Sequence, residues 1–315
     1  MEPLSSQIYR FHLSQTNPVI FNPAFSGSLS GKILNTRLWR SDLGYQSRNK
    51  GIDNCVHFSS DRAIRSKDLN LNFQVLNRKA YGELLKINEY SIGGSKYLAI
   101  DKHNIVSFGL QTGIRIHRIS PMNLKGFYQN DFDRSLDITK FIDTGNKNLE
   151  NYSRTYGFIS AGAAWMNQHF ELGYAIHQLN RPFAFKGRIE RRLNTRHTIN
   201  FNLDLDEYKN IDVHLISMVS FNGNEREIQG GLALKKQRLS LSSVYEHYSF
   251  SGNKTISWSN MIALHLLNFR FSYNADITLK GRGFLRHNLG IRFGLPVRRI
   301  KMGKIFEYPK VYKSF

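Results

Sequence analysis

The chain has 315 residues, 41% of them hydrophobic, with 44 Lys and Arg against 24 Asp and Glu and a formal net charge of +20. A mean hydropathy of −0.41, with no apolar run near the roughly 20 residues a membrane helix needs, excludes a helical membrane protein. The cations recur between and within segments along the chain rather than in one block, which sets aside a nucleic-acid partner.

Residues 1–10 contain no apolar stretch of the kind a secretory leader carries. An exported chain is therefore expected in mature form, its leader removed. Residues 1–30 form an N-terminal segment in which Pro18 and Pro23 argue against a central strand. The segment is expected to act as a plug or a cap on the rest of the chain. From residue 31 to 297 the hydrophobic pattern has a period of two. Strands are expected to begin near residues 33, 53, 68, 88, 103, 156, 168, 196, 210, 226, 237, 257, 267 and 286, giving about 14 in all.

Cys55, the only cysteine, lies in the second of these. It excludes an intrachain disulfide, and no Cys/His cluster suggests zinc. In the third strand Leu69, Leu71, Phe73 and Val75 alternate with Asn70, Asn72 and Gln74. Across residues 105–117, Val106, Phe108, Leu110, Thr112, Ile114 and Ile116 alternate with Ser107, Gly109, Gln111, Gly113, Arg115 and His117. A pleated strand sends these two sets to opposite faces, whereas a helix mixes them. The same alternation recurs around Leu172, Phe201, Phe271 and Ile291. Asn222-Gly223 and Gly252-Asn253 are turn signals between strands. Residues 121–151 and 182–195 read as long polar loops, and residues 298–315 form a basic tail with no assigned element.

Alternation alone leaves two architectures open. A soluble sandwich buries the apolar face against a second sheet, and a transmembrane barrel turns it to lipid. Three features favour an antiparallel barrel. The polar face is rich in Asn, Gln, Gly, Ser and Arg rather than Lys and Glu. Aromatics gather near strand ends, as at Tyr90, Tyr97, Tyr152, Tyr156, Trp165, Tyr208 and Trp258, where interfacial girdles belong. A closed sheet of near-identical strands has no free edge. In such a barrel Arg115, Arg270 and Arg292 lie on the polar face. There they are expected to line the lumen or to contact an acidic partner segment.

Residues 17–28 read Asn-Pro-Val-Ile-Phe-Asn-Pro-Ala-Phe-Ser-Gly-Ser, and Gln7, Tyr9 and Phe11 precede them. This stretch resembles the N-terminal signature of the PorP/SprF family of Bacteroidota outer-membrane proteins. That signature is an Asn-Pro-Ala-aromatic-x-Gly-Ser motif after a short Gln/Ser/Tyr/Phe-rich lead. Asn22, Pro23, Ala24, Phe25, Gly27 and Ser28 carry it. Residues 106–113, with their spaced glycines, and residues 170–176 followed by Leu179-Asn180 are similar to later family segments. The last strand, residues 287–294, falls where the family's closing strand does, and the tail after it departs from members that end there. The resemblance implies a non-enzymatic barrel of the cell outer membrane serving type IX secretion and gliding motility. It implies delivery or anchoring of a large secreted protein at the cell surface. The partners implied are secretion components, the C-terminal domain of that secreted protein and outer-membrane lipid. Physically, Pro23 fixes φ, Gly27 permits φ > 0, and Asn22 can bond its own backbone, so the motif reads as a fixed turn. That turn is either a structural cap or a plug and docking element.

No Gly-x-Ser-x-Gly elbow and no His-Glu-x-x-His is present. His57, His117, His177, His214, His247 and His265 lie in strand-like segments and read as lumen or rim residues. Gly93-Gly94 and Gly230-Gly231 are not followed by helices, so they read as close-packed strand positions rather than phosphate loops. No catalytic residue, cofactor or metal is expected. Two rivals remain: a porin-like solute channel, and a lipid enzyme with a Ser/His pair on the lipid face near a rim.

Overall fold

The computed structural model describes residues 17–27, 39–48, 53–64, 69–80, 85–101, 104–119, 152–167, 169–185, 191–208, 211–223, 225–250, 253–280 and 285–295. Two single-turn 3-10 helices, Pro18–Ile20 and Pro23–Phe25, come first. Next in the chain are β1 (Trp39–Arg48), β2 (Asp53–Ile64), β3 (Leu69–Ala80), β4 (Leu85–Ala99), β5 (Ile105–Ile119), β6 (Tyr152–Met166) and β7 (Phe170–His177). After them come β8 (Phe183–Phe185), β9 (Arg191–Arg192), β10 (Arg196–Tyr208), β11 (Ile211–Asn222), β12 (Glu225–Lys236) and β13 (Leu239–Phe250). The series ends with β14 (Asn253–Leu266), β15 (Phe269–Lys280) and β16 (Leu285–Leu295).

Every barrel strand pairs antiparallel with its chain neighbour, and β1 pairs with β16, closing a barrel of fourteen strands. The remaining two, β8 and β9, form a small separate sheet. The stretch 182–195, expected to be a loop, thus contains a short strand pair, with Arg192 stacked 4.7 Å over the Phe183 ring. Closure pairs the backbone of every strand on both sides, as a bilayer demands.

The alternation places apolar side chains outside. Leu110 is 65% exposed while the adjacent Gln111 is 5% exposed. This inverts the pattern of a water-soluble protein and excludes the sandwich. In water such an apolar face would cost about 25 cal/mol per Å²; in lipid it costs nothing. Trp39, Tyr45, Tyr90, Trp165, Tyr174, Tyr245, Trp258 and Tyr273 point outward. Two of the aromatics expected there do not. Tyr156 is buried in the lumen beside Arg115 and His117, and Tyr97 turns inward to a backbone carbonyl. Each has a hydroxyl with a specific partner inside, which outranks its preference for the interface.

Both long links, the 32-residue one from Ile119 to Tyr152 and that from His177 to Arg196, join strands at one end, beside short links such as that between β11 and β12. At the other end every link is short, as in the two-residue turn between β12 and β13. The expected loop at 121–151, the tail at 298–315, Ser28 and the stretch near residue 33 lie outside the described residues.

Candidate functional site in the barrel lumen

The Asn-Pro-Val-Ile-Phe-Asn-Pro-Ala-Phe stretch lies inside the barrel. Two Asn-Pro steps each start a 3-10 turn, because proline at the first helical position needs no N–H partner and arrives with φ preset. Asn22 caps the second turn, its Oδ1 accepting from Ala24 N at 2.9 Å. Its Nδ2 donates across the lumen to the Ala163 carbonyl of β6 at 3.2 Å. One side chain thus shapes the turn and fastens it to the wall.

The wall is built to receive this segment. A side chain on Gly109 of β5 would run into the Pro23 and Ala24 backbone, and one on Gly162 of β6 would strike Asn22. A Cβ on Gly173 of β7 would come 2.7 Å from both Asn22 Nδ2 and Phe25 Cζ. Three adjacent strands therefore present glycine where the motif sits. Phe21 packs among Cys55, Leu76, Ala80, Leu85, Ile87 and Met218. Phe25 packs with Ala24, Ala164 and Met166, against Tyr97 and Ile105. The largely polar lumen wall thus carries apolar clusters at these two seats.

Hydrogen bonds satisfy the buried backbone. His177 Nε2 donates to the Phe21 carbonyl at 2.9 Å, and Ser107 Oγ to that of Ala24 at 2.7 Å. Ser95 Oγ and Tyr97 OH both donate to the Ser26 carbonyl, at 3.1 and 2.5 Å. Asn72 Nδ2 donates to Ser26 Oγ. Asn17 donates to Ser59 and contacts His57 Nε2 at 3.1 Å. Gly27, at φ +72°, turns the chain and donates its N–H to Asp61 Oδ2 at 2.5 Å. A buried backbone group left unpaired here would cost roughly 1–3 kcal/mol, so these partners fix the segment as firmly as its packing does.

From Asp61 a charge network continues along the wall. Arg40 Nε donates to Asp61 Oδ1 at 2.6 Å and lies 3.5 Å from Asp42 Oδ2. Asp42 Oδ1 accepts from Arg292 Nε at 2.5 Å. The network therefore links Gly27, β2, β1 and β16 across the closing seam. Arg270 of β15 is directly opposite Arg292 of β16 and approaches Met261 Sδ at 3.6 Å. Arg115 is held by Glu89 at 2.5 Å and leans on the Phe158 ring. All three sequence-identified arginines lie in the lumen, but in separate places: Arg270 and Arg292 near the seam, Arg115 on β5. The glycine seat was not recognisable as a site in the sequence, where Gly109 reads as one of the spaced glycines of residues 106–113 and nothing local marks Gly162 or Gly173.

Of the histidines, His57, His117 and His177 are buried in the lumen. His214 is paired with Asp204. His265 accepts or donates to Ser240 Oγ at 2.7 Å. That Ser/His pair points into the lumen at the short-turn end, away from lipid. Gly93 and Gly231 are close-packed inward positions, while Gly230 faces outward with open space beyond it. Among the described residues, no group of three or more His, Cys, Asp and Glu side chains is arranged to hold a metal.

The family model described as "Type IX secretion system membrane protein PorP/SprF" matches residues 5–292. The chain belongs to that family. No curated protein matches it. Among solved structures, the CymD monoaromatic hydrocarbon channel superposes with a TM-score of 0.56 at 8% identity, covering 86% of this chain and 93% of that one. The Pseudomonas putida toluene transporter TodX gives 0.51 at 10% identity, covering 92% and 95%. At such identities the likeness is one of fold: these are outer-membrane barrels, and this PorP/SprF protein is an outer-membrane barrel too.

Proposed function

We propose that the protein serves type IX secretion as a non-conducting, non-enzymatic scaffold that helps deliver or anchor a large secreted protein at the cell surface. Its partners on this reading are other secretion components and the C-terminal domain of the secreted protein. The observation that carries the reading is the occupied lumen. Residues 17–27 act as a plug, fixed on one wall by turns, glycine seats and hydrogen bonds. On the opposite wall the inward residues are also shielded, Glu227 at 0% and Ser257 at 4% exposure among them. A continuous water channel would leave such residues wet. A plugged barrel is better suited to holding a partner than to passing solute. Of Arg115, Arg270 and Arg292, the arginine left to meet an acidic partner segment on this reading is Arg270, since Glu89 and Asp42 already match the other two.

The rival is a solute channel on the same fold. Two measurements separate the readings. Purification in gentle detergent is expected to bring down a secretion component or a large surface protein. Planar bilayers containing the purified protein are expected to stay electrically silent. Steady open-pore current together with an empty pull-down would favour the channel.

A further inference from the structure

Charge is sorted between the two faces of the barrel. Among strand residues with described side chains, every Asp and Glu points to the lumen, and the outward face carries only cations. Three of those cations lie side by side. Lys79 of β3 is directly opposite Lys86 of β4, and Lys86 is directly opposite Arg118 of β5. Directly opposed side chains on neighbouring strands have Cβ atoms about 5 Å apart, so three long cationic side chains here can converge on one anionic group. The row lies at the long-connection end, which in outer-membrane barrels faces the exterior.

The rows beneath it change character in order. Asn77 and Asn88 come next, with Asn77 Nδ2 donating to Asn88 Oδ1 at 2.5 Å on the exposed surface. Below them Val75, Tyr90 and Ile114 align, followed by Phe73 and Ile92. On β5 the residue opposite Asn88 is Ile116, so cation, amide and hydrocarbon succeed one another down the outward strip of β3 and β4, with Ile116 and Ile114 of β5 flanking the lower tiers. An amphiphile whose phosphate, sugar and acyl chains come in the same order would match each tier. Phosphate accepts from ammonium and guanidinium, amides hydrogen-bond sugar hydroxyls, and acyl chains cover the aliphatic and aromatic rows.

We propose that this strip binds a phosphorylated glycolipid of the outer leaflet, with Lys79, Lys86 and Arg118 on the phosphate and Asn77 and Asn88 on the sugar. The site gives one sector of the barrel a bound lipid at its external rim, whatever protein the barrel escorts.

The test is binding of purified lipid A, in neutral detergent micelles, to the full-length folded protein. The triple variant K79Q/K86Q/R118Q removes the charges of the row from outward-facing positions. The control variant R62Q/K96Q/K236Q removes three outward cations at the short-turn end. Heat-modifiable gel migration confirms that both are folded. At about 1 kcal/mol per cation near an anionic surface, the first variant is expected to bind about a hundredfold more weakly. The control is expected to bind as the unaltered protein does. Equal weakening in both variants would mean diffuse attraction and would overturn the site, as would no weakening in either. Displacement of lipid A by inorganic phosphate would assign the cations to a free anion and overturn it too.

Discussion

Gly162 of β6 has no side chain where Asn22 needs the space: a Cβ there would lie 3.0 Å from Asn22 Cγ and 3.1 Å from Pro23 Cδ, with Asn22 Oδ1 closer still. The two residues are 140 positions apart in the chain. Asn22 then uses the gained proximity to reach the Ala163 carbonyl. The motif and the barrel wall are therefore complementary surfaces, and each predicts the cost of altering the other.

Filling the seat should loosen the segment. Gly162→Val and Gly173→Val each force overlap with Asn22 or with the Phe25 ring. Overpacking of this kind costs about 1–3 kcal/mol. The thermal midpoint of the detergent-solubilised barrel should fall accordingly. Gly230→Val supplies the comparison, since that glycine faces outward with nothing within 4 Å. Valine suits a strand there, so its midpoint should hold or rise. Equal losses at positions 162 and 230 would refute the seat.

Asn22 carries two roles that substitution can separate. Asn22→Ala removes the cap and the wall contact together. Loss of a cap alone costs about 0.5–2 kcal/mol. Asn22→Asp keeps an oxygen for Ala24 N but loses the donor to Ala163. It also buries a charge. The aspartate variant should therefore be no more stable than alanine, although aspartate is a good cap in an exposed turn. Chemical denaturation of the two variants side by side checks the order.

The closing seam should respond non-additively. Asp42 lies between Arg40 and Arg292. Removing one partner of a buried ion pair costs about 3–5 kcal/mol, because the remaining charge stays buried. Arg292→Met alone should destabilise strongly. Adding Asp42→Leu leaves Arg40 with Asp61 and should restore much of the loss. A double-mutant cycle measured by unfolding in urea gives the coupling; simple additivity would show that the network does not act as a unit.

Much of the barrel was legible because a lipid-facing strand must alternate. The expected starts at 53, 68, 103, 168, 196, 210, 226, 237, 267 and 286 fall within two residues of those found for β2, β3, β5, β7, β10, β11, β12, β13, β15 and β16. The larger misses share a cause. The strands β6 and β14 begin at Tyr152 and Asn253, four residues before the expected 156 and 257. Outward positions there are Ser153, Thr155 and Lys254. Beyond the hydrocarbon layer the outer face turns polar while the backbone ladder continues, so the apolar period ends before the strand does. The lumenal motif was legible as a fixed turn, with cap and plug both open, but its seat on the wall was not. Its partners, such as Ser107, Gly162 and His177, lie on strands far along the chain, and nothing local marks a glycine as a seat. The Asp42–Arg292 pair, 250 residues apart, is likewise set by closure alone.

Cys55 offers a direct probe of the lumen. It is the only cysteine in the chain, it is buried, and Phe21 packs in the same cluster. While residues 17–27 are seated, a water-soluble maleimide can reach the thiol only when the segment lifts away or the barrel opens. Labelling of the folded protein should therefore be slow. Phe21→Ala removes the ring from that cluster and weakens the seat, so labelling should accelerate while the barrel stays folded by gel migration. The thiol rate then tracks the population of the open form, each tenfold reporting about 1.4 kcal/mol. Deletion of residues 1–27 should give the fastest labelling of all, because the lumen then opens to water beside β2. If the deleted, phenylalanine-substituted and unaltered proteins all label alike, the segment does not cover Cys55, and the plugged-scaffold reading loses the observation that carries it.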